Sequence, residues 1–384
     1  RMNAWFNPPP LDAWDVRNVQ PGEPIVLEGF DLSHAPESVG DAWRTGEWSA
    51  QVVARLNPDS AKPGEGAGDL YSQPMLVDMG EANEVGLIGS FTLDQTIGES
   101  AFEETDQTKH FVIQSKLLSD FHHRPVEMRA SVTLPESWEA DGERTYPIVY
   151  YVTGFGGDES EVLRYLQGMP HKEYVTGISS GGWGSLWLQV EYPDVFAGTW
   201  SHVPDPVDFH AFQTVNLYED GANMYTDADG EPRPVGRNGE EIMFWAKDFI
   251  ARERVLGPGG QIRSFEAVFS PARDDGTPAR VFDLDTGEVD PQIVEAWKTY
   301  DINAKLGREW EEIGDELAGK LHVYGGEMDN FYLGEAVGML KESMEERGSD
   351  AEIIVLPGMT HTFYWKGDKE MWATIAQRWE STGK

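Results

Sequence analysis

Cysteine is absent from the 384 residues. That excludes disulfides, thiolate zinc sites and a cysteine nucleophile, and it leaves the redox compartment undetermined. Basic residues are scarce: 30 Lys and Arg stand against 67 Asp and Glu, for a net charge of −37. Such a chain repels phosphate, so nucleic acid is not expected as a partner. The acid is dispersed rather than run together, as on a solvated surface suited to salty water. A field that steers cationic ligands is the weaker alternative. No run of about 18 apolar residues occurs, so no membrane span is expected. Internal repeats and low-complexity tracts are also missing. The chain opens Arg1-Met2-Asn3, with no charged-then-apolar leader. On this reading a signal peptide is absent or already removed, and exported and cytoplasmic locations both stay open. A secreted or periplasmic protein is slightly favoured.

Hydrophobic residues make up 40% of the chain, which is enough for a globular protein with a large core and two domains. Residues 1–108 are rich in Pro, Gly and Asp. Short β-like runs lie at Pro24–Leu27, Ser49–Leu56 and Val85–Leu93, predicting a small all-β, sandwich-like domain. Asn7 to Pro10 reads as an extended arm.

The pattern changes at Lys109. Phe111–Gln114 and Val126–Leu134 alternate as antiparallel strands do. Tyr146–Val152 is almost continuously apolar and predicts a strand buried on both faces. Glu159–Gln167 is helical in pattern. Further strands are expected at Phe196–Ser201, Lys320–Tyr324 and Ala351–Leu356, with a helix over Leu333–Arg347. Strands alternating with helices predict an α/β domain over 109–384 with a mainly parallel sheet. Residues 209–300 interrupt that rhythm with a hairpin signal at Asp227–Gly230 and helical pieces at 240–253 and 291–300. An insertion of this size is expected to form a lid or pocket wall.

Within the α/β part, residues 177–182 read Gly-Ile-Ser-Ser-Gly-Gly, a G-x-S-x-G pattern centred on Ser179. A β-rich run, Glu173–Thr176, precedes it and a helix-like run, Trp183–Val190, follows. A strand turning sharply into a helix lifts one hydroxyl above the sheet edge, and small neighbours permit the turn. Ser179 is therefore the candidate nucleophile, against a glycine-rich turn without chemistry.

A serine hydroxyl needs a base, and the base needs a group that fixes its tautomer. In this kind of sheet the acid and then the histidine follow the serine. His322 falls inside a strand and reads as a packing residue; His202 and His210 come before any later acid strand. His361, in the loop after 351–356, is the candidate base. After strand 320–324 the sequence is Gly325-Gly326-Glu327-Met328-Asp329. Asp329 is the preferred acid and Glu327 the alternate; an N-cap for the next helix is the plain reading of either. The candidate oxyanion donors are the backbone N–H groups of Ser180 and of Phe155, in Thr153-Gly154-Phe155-Gly156-Gly157. Trp183 and Trp365 adjoin candidate residues and are the aromatics expected to touch substrate. Asp227-Ala228-Asp229-Gly230 and Asp283-Leu284-Asp285-Thr286-Gly287 resemble fragments of calcium loops but lack the twelve-residue pattern, so no metal site is assigned.

These motifs resemble the α/β-hydrolase fold, and within it the esterase family that includes esterase D, feruloyl esterases and enterochelin esterases. The resemblance covers roughly 110–384. It rests on 153–157, on 177–182, on Tyr192-Pro193-Asp194-Val195-Phe196-Ala197-Gly198 and on the tail Gly358–Trp365. It implies a sheet with helices on both faces, nucleophile Ser179, acid Asp329, base His361, oxyanion donors Phe155 and Ser180, and no cofactor. Thr153 replaces a histidine that does no chemistry in the family. Only 19 residues separate Gly157 from Gly177, where the family places another strand and two helices. A segment missing near Met169-Pro170-His171 is the expectation there.

The function expected is a serine hydrolase cleaving carboxylic esters of small molecules, with sugar- or aromatic-linked esters favoured by the abundant tryptophan. An acyltransferase or peptidase on the same triad is one alternative. A carbohydrate- or ligand-binding protein that kept the fold without catalysis is the other.

Overall fold

A computed structural model describes residues 9–11, 13–27, 46–57, 60, 62, 64–78, 89–99, 102–135, 137–139, 146–160, 174–257 and 259–381. The chain divides into two compact units: 1–101 with 244–268, and 102–243 with 269–384. The expected insertion 209–300 is thus shared between them.

In the first unit, Glu47–Ala50 pairs antiparallel with Met75–Asp78, and Leu70–Tyr71 lies between Val53–Ala54 and Gln95–Thr96. Buried Asp69 holds the intervening turn, accepting the N–H groups of Leu56 and Asn57 at 2.7 and 2.8 Å. The expected strand Pro24–Leu27 does not form; those residues are exposed and belong to no strand. Four of the residues expected in strand 85–93 lie outside the described set. In the same unit, Glu253 is buried and accepts the N–H groups of Ile262 and Arg263, at the start of helix Gln261–Phe269. Burial raises its carboxyl to about 7.

The second unit is built on a five-stranded parallel sheet. Its strands are β1 (Val149–Val152), β2 (Tyr174–Ile178), β3 (Thr199–His202), β4 (Leu321–Gly326) and β5 (Glu352–Leu356). Each pairs with the next in chain order, so the chain crosses the sheet in one direction. Right-handed crossovers then deliver the described connecting helices to the same face. The helices are α1 (Ser180–Glu191) between β2 and β3, α2 (Ile302–Leu317) between β3 and β4, and α3 (Gly334–Glu346) between β4 and β5. All three share one core, in which Leu186, Leu306 and Leu340 meet Val323 and Ile353 from the sheet. The opposite face carries Tyr174, Trp200 and Tyr324 and is covered by Met371 and Ile375 of α4 (Trp365–Ser381). Strand side chains alternate between the two cores, with Val323 on one and Tyr324 on the other. Burial of each such side chain contributes roughly 1.5–3 kcal/mol. The second unit is thus an α/β sheet with helices on both faces.

Several sequence expectations change. The apolar run Tyr146–Val152 predicts a strand buried on both faces. The strand instead begins at Val149, forms the edge of the described sheet and leaves Tyr150 46% exposed. An apolar run alone does not distinguish a central strand from an edge. Residues 240–253, expected to be helical, open as strand Glu241–Trp245 and become helix only at Ala246. Helix α2 is not among the sequence expectations, although Ile302, Leu306, Trp310 and Ile313 repeat at helical spacing and Asp301 caps it through Ala304 N–H. The expected helix 159–167 lies mostly outside the described residues, as does the stretch around Met169. The antiparallel pair Thr108–Gln114 with Glu127–Thr133 forms as expected. The Asp227 and Asp283 loops are turns in which each carboxylate accepts nearby backbone N–H groups.

Candidate active site

All five strands of the sheet run in parallel, so their carboxyl ends share one edge, and a loop leaves each end. The loop after β1 carries Phe155, that after β2 carries Ser179, and that after β3 carries Asp205. Asp329 follows β4 and His361 follows β5. The candidate residues are scattered over roughly 200 positions of the chain and meet only because the strand order is complete.

Ser179 stands between β2 and α1 with φ 59° and ψ −125°. Non-glycine residues avoid this region, and holding one there costs about 1–3 kcal/mol. The glycines around it show how it is held. A Cβ on Gly181 would fall 2.0 Å from the carbonyl oxygen of Val152, and one on Gly177 would fall 2.3 Å from that of Gly181. Strand and helix approach so closely that only hydrogen fits. Backbone bonds finish the turn: Ser179 N–H donates to the His202 carbonyl at 3.0 Å, and Asp205 N–H donates to the Ser179 carbonyl at 3.1 Å. Val203, a β-branched residue at φ 37°, bends the loop after β3 around the elbow.

His361 Nδ1 lies 2.8 Å from Oδ2 of Asp329, which is fully buried. The other carboxylate oxygen, Oδ1, accepts Phe331 N–H at 2.8 Å. Asp329 therefore organises its own loop and faces the imidazole as well. Glu327, the alternate acid, is instead exposed and accepts Gly358 N–H at 2.9 Å. Asn330 joins the two loops through the N–H of His361, at 3.0 Å. Arg237, in strand Pro234–Asn238, donates to the carbonyls of Asp329 at 2.9 Å and Glu327 at 2.8 Å. Its guanidinium lies 4.5 Å from the Tyr332 ring centroid.

The Ser179 hydroxyl donates to Asp205 Oδ1 at 3.3 Å, and the Ser180 hydroxyl donates to Oδ2 of the same carboxylate. Burial raises the Asp205 carboxyl to about 6. Hydrogen bonds from Ser180 and Ser179 and the nearby His361 pull the other way.

Of the remaining sequence candidates, Phe155 lies in the turn after β1. Neighbouring Gly154 packs there, and a Cβ on it would lie 3.7 Å from Ser179 Cβ. Ser180 opens α1, so the intrahelical ladder does not use its N–H. Trp183, one turn further, is half-buried; it stacks on Trp187 at 5.2 Å and tilts against Phe269 at 5.1 Å. Trp365 is 59% exposed at the start of α4, with the ammonium groups of Lys366 and Lys369 over its ring.

No family model matches the chain, and no curated protein matches it in sequence. Solved structures do resemble it. One is the Staphylococcus aureus fluorophosphonate-binding serine hydrolase FphF, at 13% identity and a TM-score of 0.37, over 71% of this chain and 98% of that one. Another is an S-formylglutathione hydrolase from Agrobacterium tumefaciens, at 13% identity and a TM-score of 0.36, over 71% and 95%. A third is dipeptidyl peptidase 4 from Porphyromonas gingivalis, at 10% identity and a TM-score of 0.38, over 87% of this chain and 43% of that one. The chain spans less than half the length of the peptidases it is similar to. Esterases and serine hydrolases are thus among its structural neighbours.

Sequence reasoning missed Asp205, Arg237 and Asn330. For Asp205 a signal was present: Pro204-Asp205-Pro206 follows the strand next to the nucleophile strand, where a polar residue reaches the sheet edge. Arg237 and its partner Asp329 stand 92 positions apart, with no local pattern to connect them.

Proposed function

We propose that the chain is a serine hydrolase that cleaves carboxylic esters through an acyl-enzyme. The observation that carries the reading is the Asp329–His361 pair, 2.8 Å apart, on the same sheet edge as the strained Ser179. An imidazole that donates Nδ1–H to a buried carboxylate keeps Nε2 as an acceptor. For the reaction the Ser179 hydroxyl leaves Asp205 Oδ1 and donates to that nitrogen instead. Oγ attacks the ester carbonyl, and the N–H groups of Phe155 and Ser180 take the developing negative oxygen. His361 passes the proton to the departing alcohol and then draws one from water, which releases the acid. Asp329 holds the ring and offsets its positive charge. No cofactor enters these steps.

The catalytic part is the α/β portion of 109–384, and pocket walls come from 209–243 and 269–300 in the same unit. Trp183 and Trp365 are the aromatics assigned to substrate contact. The substrate is a small-molecule ester, sugar- or aromatic-linked.

Turnover of p-nitrophenyl acetate and butyrate tests the reading. Wild type is expected to hydrolyse one or both, and Ser179→Ala to lose at least about a thousandfold in kcat. Undiminished turnover in Ser179→Ala, or a fluorophosphonate adduct mapping to another serine, would reject the site.

A further inference from the structure

Two successive serines turn their hydroxyls to one carboxylate. We propose that Asp205 is a positioning residue of this site, fixing the resting orientation of the Ser179 and Ser180 hydroxyls and placing a second negative charge beside His361. The inference rests on the serine-hydrolase reading above. Packing alone does not call for a carboxylate here. Asp205 is 4% exposed, and an anion this deep is unfavourable unless hydrogen bonds and charge compensate it. What surrounds it is catalytic machinery. Oδ1 takes the candidate nucleophile, and Oδ2 takes the side chain of the residue whose N–H would bind the oxyanion. Its backbone N–H returns to the Ser179 carbonyl at 3.1 Å. A shift of Asp205 moves both halves of the elbow together.

The charged groups acting on it are His361 from the loop after β5 and Asp329 from the loop after β4. On its own loop, Asp208 is engaged by His210 Nδ1 and Asn303 Nδ2, each at 2.7 Å. Buried His202, at the end of β3, accepts Tyr364 N–H through Nδ1 and has Nε2 3.3 Å from Asp368. Asp205 is thus the group that loads the elbow with charge. With its carboxyl at about 6, it is an anion accepting both hydroxyls at pH 8. At pH 5 it carries a proton, becomes a donor through one oxygen and cannot accept through both. Activity on the acid side then depends on the ionised form of Asp205.

The test is the pH profile of kcat/KM for wild type and Asp205→Asn, followed in parallel by the rate of fluorophosphonate labelling. For wild type, log(kcat/KM) is expected to show an acid-side inflection at pH about 6 that Asp205→Asn lacks. At pH 8 the variant should lose about 10- to 100-fold in kcat, with KM changed less than about threefold. Ser180→Ala, which removes a bond favouring the anion, should move that inflection to higher pH. It supplies the comparison should Asp205→Asn not fold. Identical acid-side profiles in wild type and Asp205→Asn, or an unmoved inflection in Ser180→Ala, overturn the proposal while labelling at Ser179 persists. Absence of both labelling and turnover in wild type removes the hydrolase reading itself, and the proposal with it.

Discussion

The side-chain carbonyl of Asn330 accepts the backbone N–H of His361 at 3.0 Å, while its amide donates to the Arg237 carbonyl at 2.8 Å. One residue therefore ties the loop that carries Asp329 both to the loop that carries the histidine and to the strand beyond. Asn330→Ala should lower kcat about tenfold with KM little changed, because ground-state contacts are untouched and imidazole placement is not. Stability should fall by about 1–2 kcal/mol as two partly buried groups lose partners. Steady-state kinetics and urea unfolding measure the two effects. A KM effect with kcat intact would contradict this role.

Arg237 forks to two carbonyls of the acid loop and lies over Tyr332. A lysine keeps the charge but not the planar fork. Arg237→Lys is expected to recover only part of the activity lost in Arg237→Ala, with kcat falling about tenfold in the alanine variant. Full recovery by lysine would mean that charge alone matters here.

The elbow glycines and a helix glycine give opposite expectations for the same substitution. Gly181→Ala drives a methyl to 2.0 Å from the Val152 carbonyl, and should yield unfolded or insoluble protein. Gly338, within α3, has nothing within 4 Å of where a methyl would sit, and no positive φ. Gly338→Ala should stabilise the fold by about 0.5–1 kcal/mol. Thermal unfolding of the pair distinguishes close approach from conformational preference.

Asp205 has a folded-state carboxyl raised from 3.8 to about 6. A raised value means the native state holds the proton more tightly than the unfolded chain. The associated stability is complete below pH about 4 and is lost as pH rises through about 6. A shift of this size corresponds to roughly 3 kcal/mol, and Glu253, raised to about 7, acts in the same direction. Asp205→Asn should therefore unfold at a higher temperature than wild type at pH 8, with the advantage closing by pH 4, even as it loses activity. A variant less stable at pH 8 than at pH 4, relative to wild type, reverses the sign and contradicts the buried charge.

Ser179, Asp329 and His361 were legible because each sits in, or just after, a short buried strand whose apolar run marks where the chain reaches the sheet edge. The glycines of the elbow were legible for the same local reason. Arg237 and Asn330 were not, since their partnership spans 93 positions and leaves no periodicity. Helix α2 was hidden because its polar face, just beyond the apparent insertion 209–300, masked an apolar stripe. The edge position of β1 was also hidden, because an edge and a centre differ in neighbours rather than in composition.

The common polarity of the strands has one more consequence. Every loop bearing site residues leaves the carboxyl edge, whereas the turn 347–351, between α3 and β5, leaves the other. Gly348 there has φ +68° and open space around it. A linker attached at residue 348 would anchor the molecule to a bead or electrode by its back, leaving the mouth of the site turned to the bulk solution.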